Sequence, residues 1–200
     1  MSNFSWYEEV KPDTSITQGD LINSCPVLAF DEIPQFTQPK NTDAIVSSLQ
    51  GHYGLERIRV AVMTQACDLA QGKARNVILC PVYHADDYRG YWETDQKTAG
   101  KQVKDADWLA RLKEIKKGRI LNVCLLGAWE STTPGGLSIP CQIVEFLEVF
   151  SMPFELMKIW VFAQNTNRLR LLPPYREHLS QAFARYFMRV ALPVDIDIGA

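Results

Sequence analysis

Residues 57–83 constrain the fold of this chain more than any other stretch of its sequence. Two apolar runs, Val60–Met63 and Val77–Val82, flank a polar loop that is rich in small residues. Short apolar runs that contain β-branched residues and end at a loop are typical of buried β-strands. The loop places Thr64 and Gln65 directly after the first run. The sequence therefore predicts two buried strands whose connection carries polar side chains, as in a small β-barrel that presents a functional site.

The length and composition predict a single domain over residues 1–200, because a 46% hydrophobic chain of this length can form a sizeable core. The net charge of −2 argues against a protein with a wholly basic surface, so contact with nucleic acid would need a local patch. No apolar stretch reaches the ~18–20 residues of a membrane helix, and no signal peptide is apparent. We therefore expect a cytoplasmic protein that does not contact a membrane.

The five cysteines and three histidines are not spaced as metal ligands. No C-x-x-C pair is present, and no histidine lies at zinc-ligand spacing from a cysteine. The sequence also contains no phosphate-binding glycine loop, H-E-x-x-H pattern or G-x-S-x-G elbow. We predict reduced, mostly buried cysteines, no metal and no cofactor.

Helical segments interrupt the β-rich pattern. Residues 85–119 are predicted to form a charged helical insert, because apolar residues recur there at helical spacing. Residues 173–191 are predicted to form a C-terminal helix with one apolar stripe, which Pro193 ends. The segment Phe154–Phe162 fits either a helix or a strand.

Five segments of the chain carry strand motifs in a recognisable order. They are Gln18–Ile22 (QGDLI), Arg59–Thr64 (RVAVMT), Asn76–Val82 (NVILCPV), Ile143–Ser151 (IVEFLEVFS) and Arg168–Leu169, which the C-terminal helix follows. Their order and spacing resemble those of the MazF/PemK-like toxins once residues 84–119 are treated as an insert. This resemblance implies a β-rich α+β fold, namely a small SH3-like barrel with a helical insert and a packed C-terminal helix.

The same resemblance implies a function. Members of this family often form dimers, so a homodimer is expected, and some are RNA endonucleases that an antitoxin neutralises. The resemblance places Arg59 and Thr64 at candidate catalytic positions, and Arg57 and Gln65 become candidate contacts to RNA or to a protein partner. The chain departs from the family in residues 31–56, where the family commonly has a catalytic arginine and this sequence has none.

Cleavage of RNA at such a site would use the 2′-hydroxyl as the nucleophile. The reaction needs a cation to stabilise the charged phosphate and a proton donor for the leaving oxygen. Arg59 could supply the charge and Thr64 the hydroxyl. In the structural alternative, Arg59 pairs with Glu56 at a strand edge and Thr64 closes a turn. The sequence leaves both interpretations open.

Basic residues of the predicted C-terminal helix form a second candidate site. At about 100° per residue, His178, Arg185 and Arg189 fall within about 40° of one another beside the apolar stripe. Arg176 lies on the far border of that stripe. Such side chains either bind a phosphate, a carboxylate or a partner, or form a salt-bridged helix edge with acids such as Glu177.

The aromatic residues Tyr88, Tyr91 and Trp92 fit either a stacking surface for single-stranded RNA or a small core beneath a helix. Two functional hypotheses follow. The first is a toxin-like RNA-binding protein, in its strongest form a metal-independent endoribonuclease. The second is a non-catalytic interaction or adaptor subunit of a bacterial multi-protein system, of the defence or toxin–antitoxin kind, whose partner is a protein.

Overall fold

A computed structural model describes residues 5–30, 42–49, 52–132 and 135–188. The strands in these ranges are β1 (Tyr7–Val10), β2 (Asp20–Phe30), β3 (Tyr53–Val62), β4 (Asn76–His84), β5 (Val123–Leu126), β6 (Trp129–Glu130), β7 (Ser138–Ile139), β8 (Gln142–Glu145), β9 (Phe150–Pro153) and β10 (Arg168–Leu171). The helices are α1 (Thr42–Leu49), α2 (Ala66–Ala70), α3 (Ala85–Thr98), α4 (Asp105–Lys116), α5 (Phe154–Gln164) and α6 (Tyr175–Phe187). Together they form an α+β protein with a large antiparallel sheet.

The apolar runs of β3 and β4 are buried because both faces of these strands are covered. Ala61 and Cys80 belong to one core cluster, whereas Val60, Val62 and Leu79 belong to the cluster on the other face. All five side chains are fully buried. Burial of one valine or leucine contributes about 1.5–3 kcal/mol to stability. The two strands predicted from these runs are confirmed.

The large sheet has the strand order β1-β10-β2-β3-β4-β8-β5, and β9 pairs with β4 beside this path. β4 pairs with β3 along one edge. Its other edge is divided between two strands, since residues 76–79 pair with β9 and residues 82–84 pair with β8. The segment 143–151 therefore contributes to two strands, β8 and β9, with a bend between them. All of these pairings are antiparallel.

The sheet curls so that its two edge strands approach each other. Tyr7 of β1 is buried, and its hydroxyl donates a hydrogen bond of 3.1 Å to the carbonyl oxygen of Gly127, just after β5. No ladder joins β1 to β5 within the described ranges, so the sheet is open there. The prediction of a β-rich α+β fold is confirmed at this level, and a closed SH3-like barrel is not seen in these residues.

Residues 85–119 contain two helices, α3 and α4. Tyr88, Trp108 and Ile115 are buried and pack with the sheet as a small third core, and Trp92 packs partly buried against them. Tyr88 and Trp92 therefore belong to a small core beneath a helix and not to an exposed stacking surface.

The C-terminal half of the described chain contains two further helices. The segment that fitted either a helix or a strand is helical, because α5 covers it entirely. Helix α6 lies within the predicted range 173–191, and residues 189–191 lie outside the described residues. None of the described helices has both the length and the apolar character needed to cross a lipid bilayer.

A buried carboxylate fastens β10 to β2. Asp20 is fully buried, and its oxygens accept hydrogen bonds of 2.8 Å from Nε of Arg168 and 2.6 Å from Nε of Arg170. The buried guanidinium of Arg168 also donates to the carbonyl oxygens of Thr14 and Ser15. Because a buried charge without partners costs several kcal/mol, this arrangement holds the N-terminal segment against the sheet.

Candidate functional site

Arg59 is a half-buried cation that has only neutral partners. Its Nε donates a hydrogen bond of 2.7 Å to Oδ1 of Asn23, and its Nη1 donates one of 2.8 Å to Oε1 of Gln142. No carboxylate in the described part of the chain forms an ion pair with it. Burial lowers the pKa of Arg59, but a guanidinium stays charged in proteins. The interpretation in which Arg59 pairs with Glu56 is therefore wrong.

The Gln142 amide links Arg59 to His84. Gln142 is fully buried, and its Nε2 lies 3.0 Å from Nδ1 of His84 and 2.9 Å from the carbonyl oxygen of Pro140. Because a guanidinium only donates, the amide oxygen must face Arg59 and the amide nitrogen must face His84. Nδ1 of His84 therefore accepts from the amide, and the other ring nitrogen, Nε2, is left as the donor.

A bulge in β2 brings Asn23 to Arg59. The register of β2 against β3 shifts between Ile22 and Cys25, and Ser24 adopts a left-handed conformation with φ of 48°. An extra residue of this kind bends a strand and re-aims its side chains. A left-handed non-glycine residue costs of the order of 1 kcal/mol, so the surrounding structure must hold this bulge in place.

The resulting depression has a volume of about 260 Å³ and is called here the Arg59 cleft. It is lined by Asn23, Ser24, Arg57, Arg59, Val82, Tyr83, His84 and Asp87. Arg57 is exposed, lies two residues before Arg59 on the same face of β3, and stacks on the Trp160 ring at 5.5 Å. The lining thus contains two guanidinium groups and a single carboxylate. Among the described residues no cluster of His, Cys, Asp and Glu is arranged to hold a metal ion.

An exposed aromatic ring extends the Arg59 cleft. Tyr91 is 61% exposed, and its ring lies 5.5 Å from that of Tyr83 in an edge-on arrangement. Burial and the nearby Glu148 raise the pKa of Tyr83, so its hydroxyl stays protonated. Tyr91 is thus the one member of the predicted aromatic group whose exposure suits stacking with a base.

Thr64 and Gln65 lie at the other end of β3. The hydroxyl of Thr64 accepts a hydrogen bond of 2.7 Å from the backbone N–H of Ile78, which closes the turn after the strand. Gln65 precedes α2, and its side-chain oxygen lies 3.7 Å from Sγ of Cys67. Thr64 thus lies beside the start of β4, whereas Arg59 lies with His84 near the end of that strand. The structure does not bring the two predicted catalytic residues together.

The predicted basic residues of α6 separate into two groups. Arg176 forms an ion pair of 2.6 Å with Glu177. His178 and Arg185 instead line a different, largely apolar cavity. Arg189 lies outside the described residues. Arg176 is therefore part of a salt-bridged helix edge. For His178 and Arg185, binding of a ligand stays a prediction.

Sequence reasoning found the arginines of the cleft but missed the residues that hold them. Asn23, His84 and Gln142 come from three strands, and sequence spacing does not show which strands are neighbours. Each of them does carry one signal, because each is a polar residue that interrupts or ends an apolar strand. A buried polar residue needs a partner, so such interruptions are worth examining first.

Comparison with protein-family models, with curated proteins and with solved structures finds no match for this chain. The resemblance to MazF/PemK-like toxins therefore stays a prediction. The Arg59 cleft and the cavity beside α6 are defined by their side-chain geometry.

Proposed function

We propose that this protein binds single-stranded RNA through the Arg59 cleft. The observation that carries the proposal is the Arg59 guanidinium itself, which is half-buried, held by two amide oxygens and unpaired with any described carboxylate. Two of its five N–H donors are used by these bonds. The remaining donors match the two non-bridging oxygens of a phosphodiester, which guanidinium groups bind in a bidentate manner.

Neighbouring groups support RNA over a small inorganic anion. Arg57 adds a second charge on the same face of β3, and Nε2–H of His84 is a further donor in the cleft. The exposed ring of Tyr91 lies beside the cleft, at a position suited to stacking with a base. Alternating guanidinium groups and exposed aromatic rings are typical of surfaces that bind single strands without strong sequence preference.

The curled sheet supports the proposal that the fold is a partly open SH3-like barrel of the MazF/PemK-like kind. The bond from Tyr7 to the Gly127 carbonyl brings the two sheet edges to one side of the core. The first and third of the family-like segments, around Asp20 and Cys80, flank β3 in the sheet. Both features support a barrel that is partly open, since the two described edges meet through the Tyr7 bond and not through a ladder.

The proposal is for binding, and endonuclease activity is its stronger form. Thr64, the predicted proton donor, lies beside the start of β4, away from Arg59, and its hydroxyl accepts a backbone hydrogen bond. Incubation of the protein with mixed RNA in EDTA tests this stronger form, and intact RNA together with tight binding would exclude it.

The experiment that tests binding is fluorescence anisotropy with a labelled single-stranded RNA over a range of KCl concentrations. We expect Arg59→Gln to weaken binding at least tenfold and to reduce the salt dependence by about 0.7 in slope, the contribution of one phosphate contact. Arg75→Gln is the matched control, because Arg75 is exposed at the opposite end of β4. Equal affinity of the wild type and Arg59→Gln would contradict the proposal.

A second candidate function, an adaptor subunit, has its own observation. The outer part of the β2–β3 ribbon exposes more than half of each of four large apolar side chains, Leu28, Phe30, Tyr53 and Leu55. Contiguous exposed apolar residues often mark protein contacts. If docking is the function, we expect Leu55→Lys to abolish co-purification with the protein partner without changing RNA affinity. Arg59→Gln is then expected to leave co-purification unchanged.

A further inference from the structure

A second cavity lies between the end of α4, strand β5 and helix α6, away from the Arg59 cleft. Its volume is about 570 Å³, which is within the range of small-molecule sites. The walls are largely apolar and include Ile115, Val123, Leu125 and Ala182. We call it the α6 cavity. A space of this size and lining suits the apolar body of a small molecule.

The polar part of the α6 cavity carries basic side chains. Lys116, His178 and Arg185 line it, and among the described residues no aspartate or glutamate does. Neither Lys116 nor Arg185 forms an ion pair with a carboxylate of the described residues. Basic side chains beside an apolar space, without acids to neutralise them, favour a ligand that carries negative charge.

Two glycines allow this arrangement. A Cβ atom at Gly118 would lie 3.0 Å from Nη2 of Arg185, so the guanidinium rests against this bare backbone position. A Cβ atom at Gly127 would lie 2.6 Å from the Trp6 ring, which stacks on Tyr175 at 3.7 Å. Trp6 and Tyr175 both line the cavity, so the stacked pair forms an aromatic part of its wall.

The buried thiol of Cys124 argues against covalent catalysis through the cysteine–histidine contact in this cavity. Sγ of Cys124 lies 3.9 Å from Nδ1 of His178, which resembles a cysteine–histidine pair. Burial, however, raises the pKa of Cys124 to about 12, although Arg185 acts in the opposite direction. A thiol with this pKa is almost wholly protonated at neutral pH and is a poor nucleophile.

We infer that the α6 cavity binds an amphipathic anion, with an alkyl or aryl body in the apolar space and an anionic head group at Lys116 and Arg185. A carboxylate and a phosphate monoester share this chemistry, and both accept bidentate hydrogen bonds from arginine. This site is separate from the proposed RNA contact, because none of the described residues lines both the α6 cavity and the Arg59 cleft.

The test is isothermal titration calorimetry of the whole protein with four ten-carbon probes: decanoate, decyl phosphate, decanol and decylamine. We expect at least one of the two anions to bind at least about tenfold more tightly than both decanol and decylamine, because charge-assisted hydrogen bonds at the head group add to burial of the chain. The stronger of the two anions identifies the head group. Equal binding of decanol and the anions, tighter binding of decylamine, or no binding of either anion would overturn the inference.

Variants locate the site. Arg185→Gln and Lys116→Gln are expected to weaken binding of the anion about tenfold and to leave decanol binding unchanged. Lys113→Gln is the matched control, since Lys113 is exposed on the same helix and does not line the cavity. Both head-group variants change exposed side chains, so they retain the fold. Undiminished anion binding in both of them would refute the assignment.

The exposed thiol of Cys141 provides an independent readout, because it lines the same cavity. Bound decanoate or decyl phosphate is expected to slow alkylation of Cys141 several-fold and to leave the exposed Cys67 unaffected. Equal rates at Cys141 with and without a saturating anion would place the ligand elsewhere.

Discussion

The Nε of Arg59 donates a hydrogen bond of 2.7 Å to the side-chain oxygen of Asn23, in the bulge of β2. This contact makes Asn23→Asp a charge switch that retains the acceptor and its shape. The new carboxylate would neutralise Arg59 in place, so we expect RNA affinity to fall about tenfold while stability changes by less than about 1 kcal/mol. Anisotropy and urea denaturation measure the two effects. Unchanged RNA affinity would show that Arg59 does not bind the phosphate.

Thr64 offers a prediction that separates a structural from a catalytic role. Thr64→Val removes the acceptor of the Ile78 N–H, so we expect stability to fall by about 1 kcal/mol with no change in RNA affinity. Urea denaturation and anisotropy on the same sample check both parts. Thr94→Val is the control, because the exposed Thr94 hydroxyl only donates to the carbonyl oxygen of Gly90, so its loss leaves no N–H without an acceptor. A loss of RNA affinity in Thr64→Val would restore the catalytic interpretation.

The buried Asp20 predicts the largest loss of stability. Asp20→Ala leaves Arg168 buried without its carboxylate, and loss of one member of a buried pair costs about 3–5 kcal/mol. The free energy of unfolding in urea measures this change. Glu177→Gln, which breaks the exposed pair with Arg176, is expected to cost less than about 1 kcal/mol. Similar losses in the two variants would mean that Asp20 does not act as a buried anchor.

Glu145 predicts a pH dependence of stability. Burial, with Glu148 and Asp95 nearby, raises the pKa of Glu145 above its ordinary 4.5. The folded state therefore binds more protons than the unfolded state above that value, and stability falls as the pH rises through the raised pKa. Because the group is only half-buried, we expect Glu145→Gln to be more stable at pH 7 by less than about 1 kcal/mol, with no difference below about pH 4.

Glu114 supplies a contrast of opposite sign to Glu145. Lys117 and Arg119 lower the pKa of Glu114, so its contribution is present at neutral pH and lost as the pH falls. Denaturation curves of Glu145→Gln and Glu114→Gln across pH should therefore diverge from the wild type in opposite directions. A common direction would contradict the assigned signs.

The cysteines predict a pattern of thiol labelling. Cys67 and Cys141 are exposed, whereas Cys25, Cys80 and Cys124 are buried. Burial raises the pKa of Cys25 to about 11 and that of Cys80 to about 12, so both access and ionisation oppose reaction. Mass spectrometry after brief alkylation at pH 8 is expected to find label at the two exposed positions only. Equally fast labelling at Cys80 would show that the core opens readily.

The parts of the fold that were predicted are those whose signal is local. β3 and β4 contain the apolar runs Val60–Val62 and Leu79–Val82, which are continuous because both faces of the sheet are covered there, and such runs stand out in any sequence. β1 was not predicted, since its four residues, YEEV, gain strand structure only by pairing with β10. α3 was not predicted as a separate helix, because few of its residues are apolar and Gly90 lies near its middle.

Part of the candidate site could be predicted from the sequence, and the part that could not depends on which strands are neighbours in the sheet. Arg59 was found from its strand, but Asn23 and Gln142 reach it from β2 and β8, and their pairing is decided by the sheet. Thr64 was grouped with Arg59 because both match positions of one family-like strand motif. The extended end of β3 separates them, so Thr64 reaches Ile78 at the start of β4 whereas Arg59 lies with His84 at its end.

The pairing of β1 with β10 joins residues 7–10 to residues 168–171. During synthesis at about 5–20 residues per second, the first strand must wait of the order of ten seconds before β10, the strand with which it pairs in the described part of the chain, leaves the ribosome. Until then the stack of Trp6 on Tyr175 cannot form, although Gly127 and Trp129, which the two aromatic side chains also contact, are made earlier. The first strand of this sheet is therefore joined to it only after the last strand has been made.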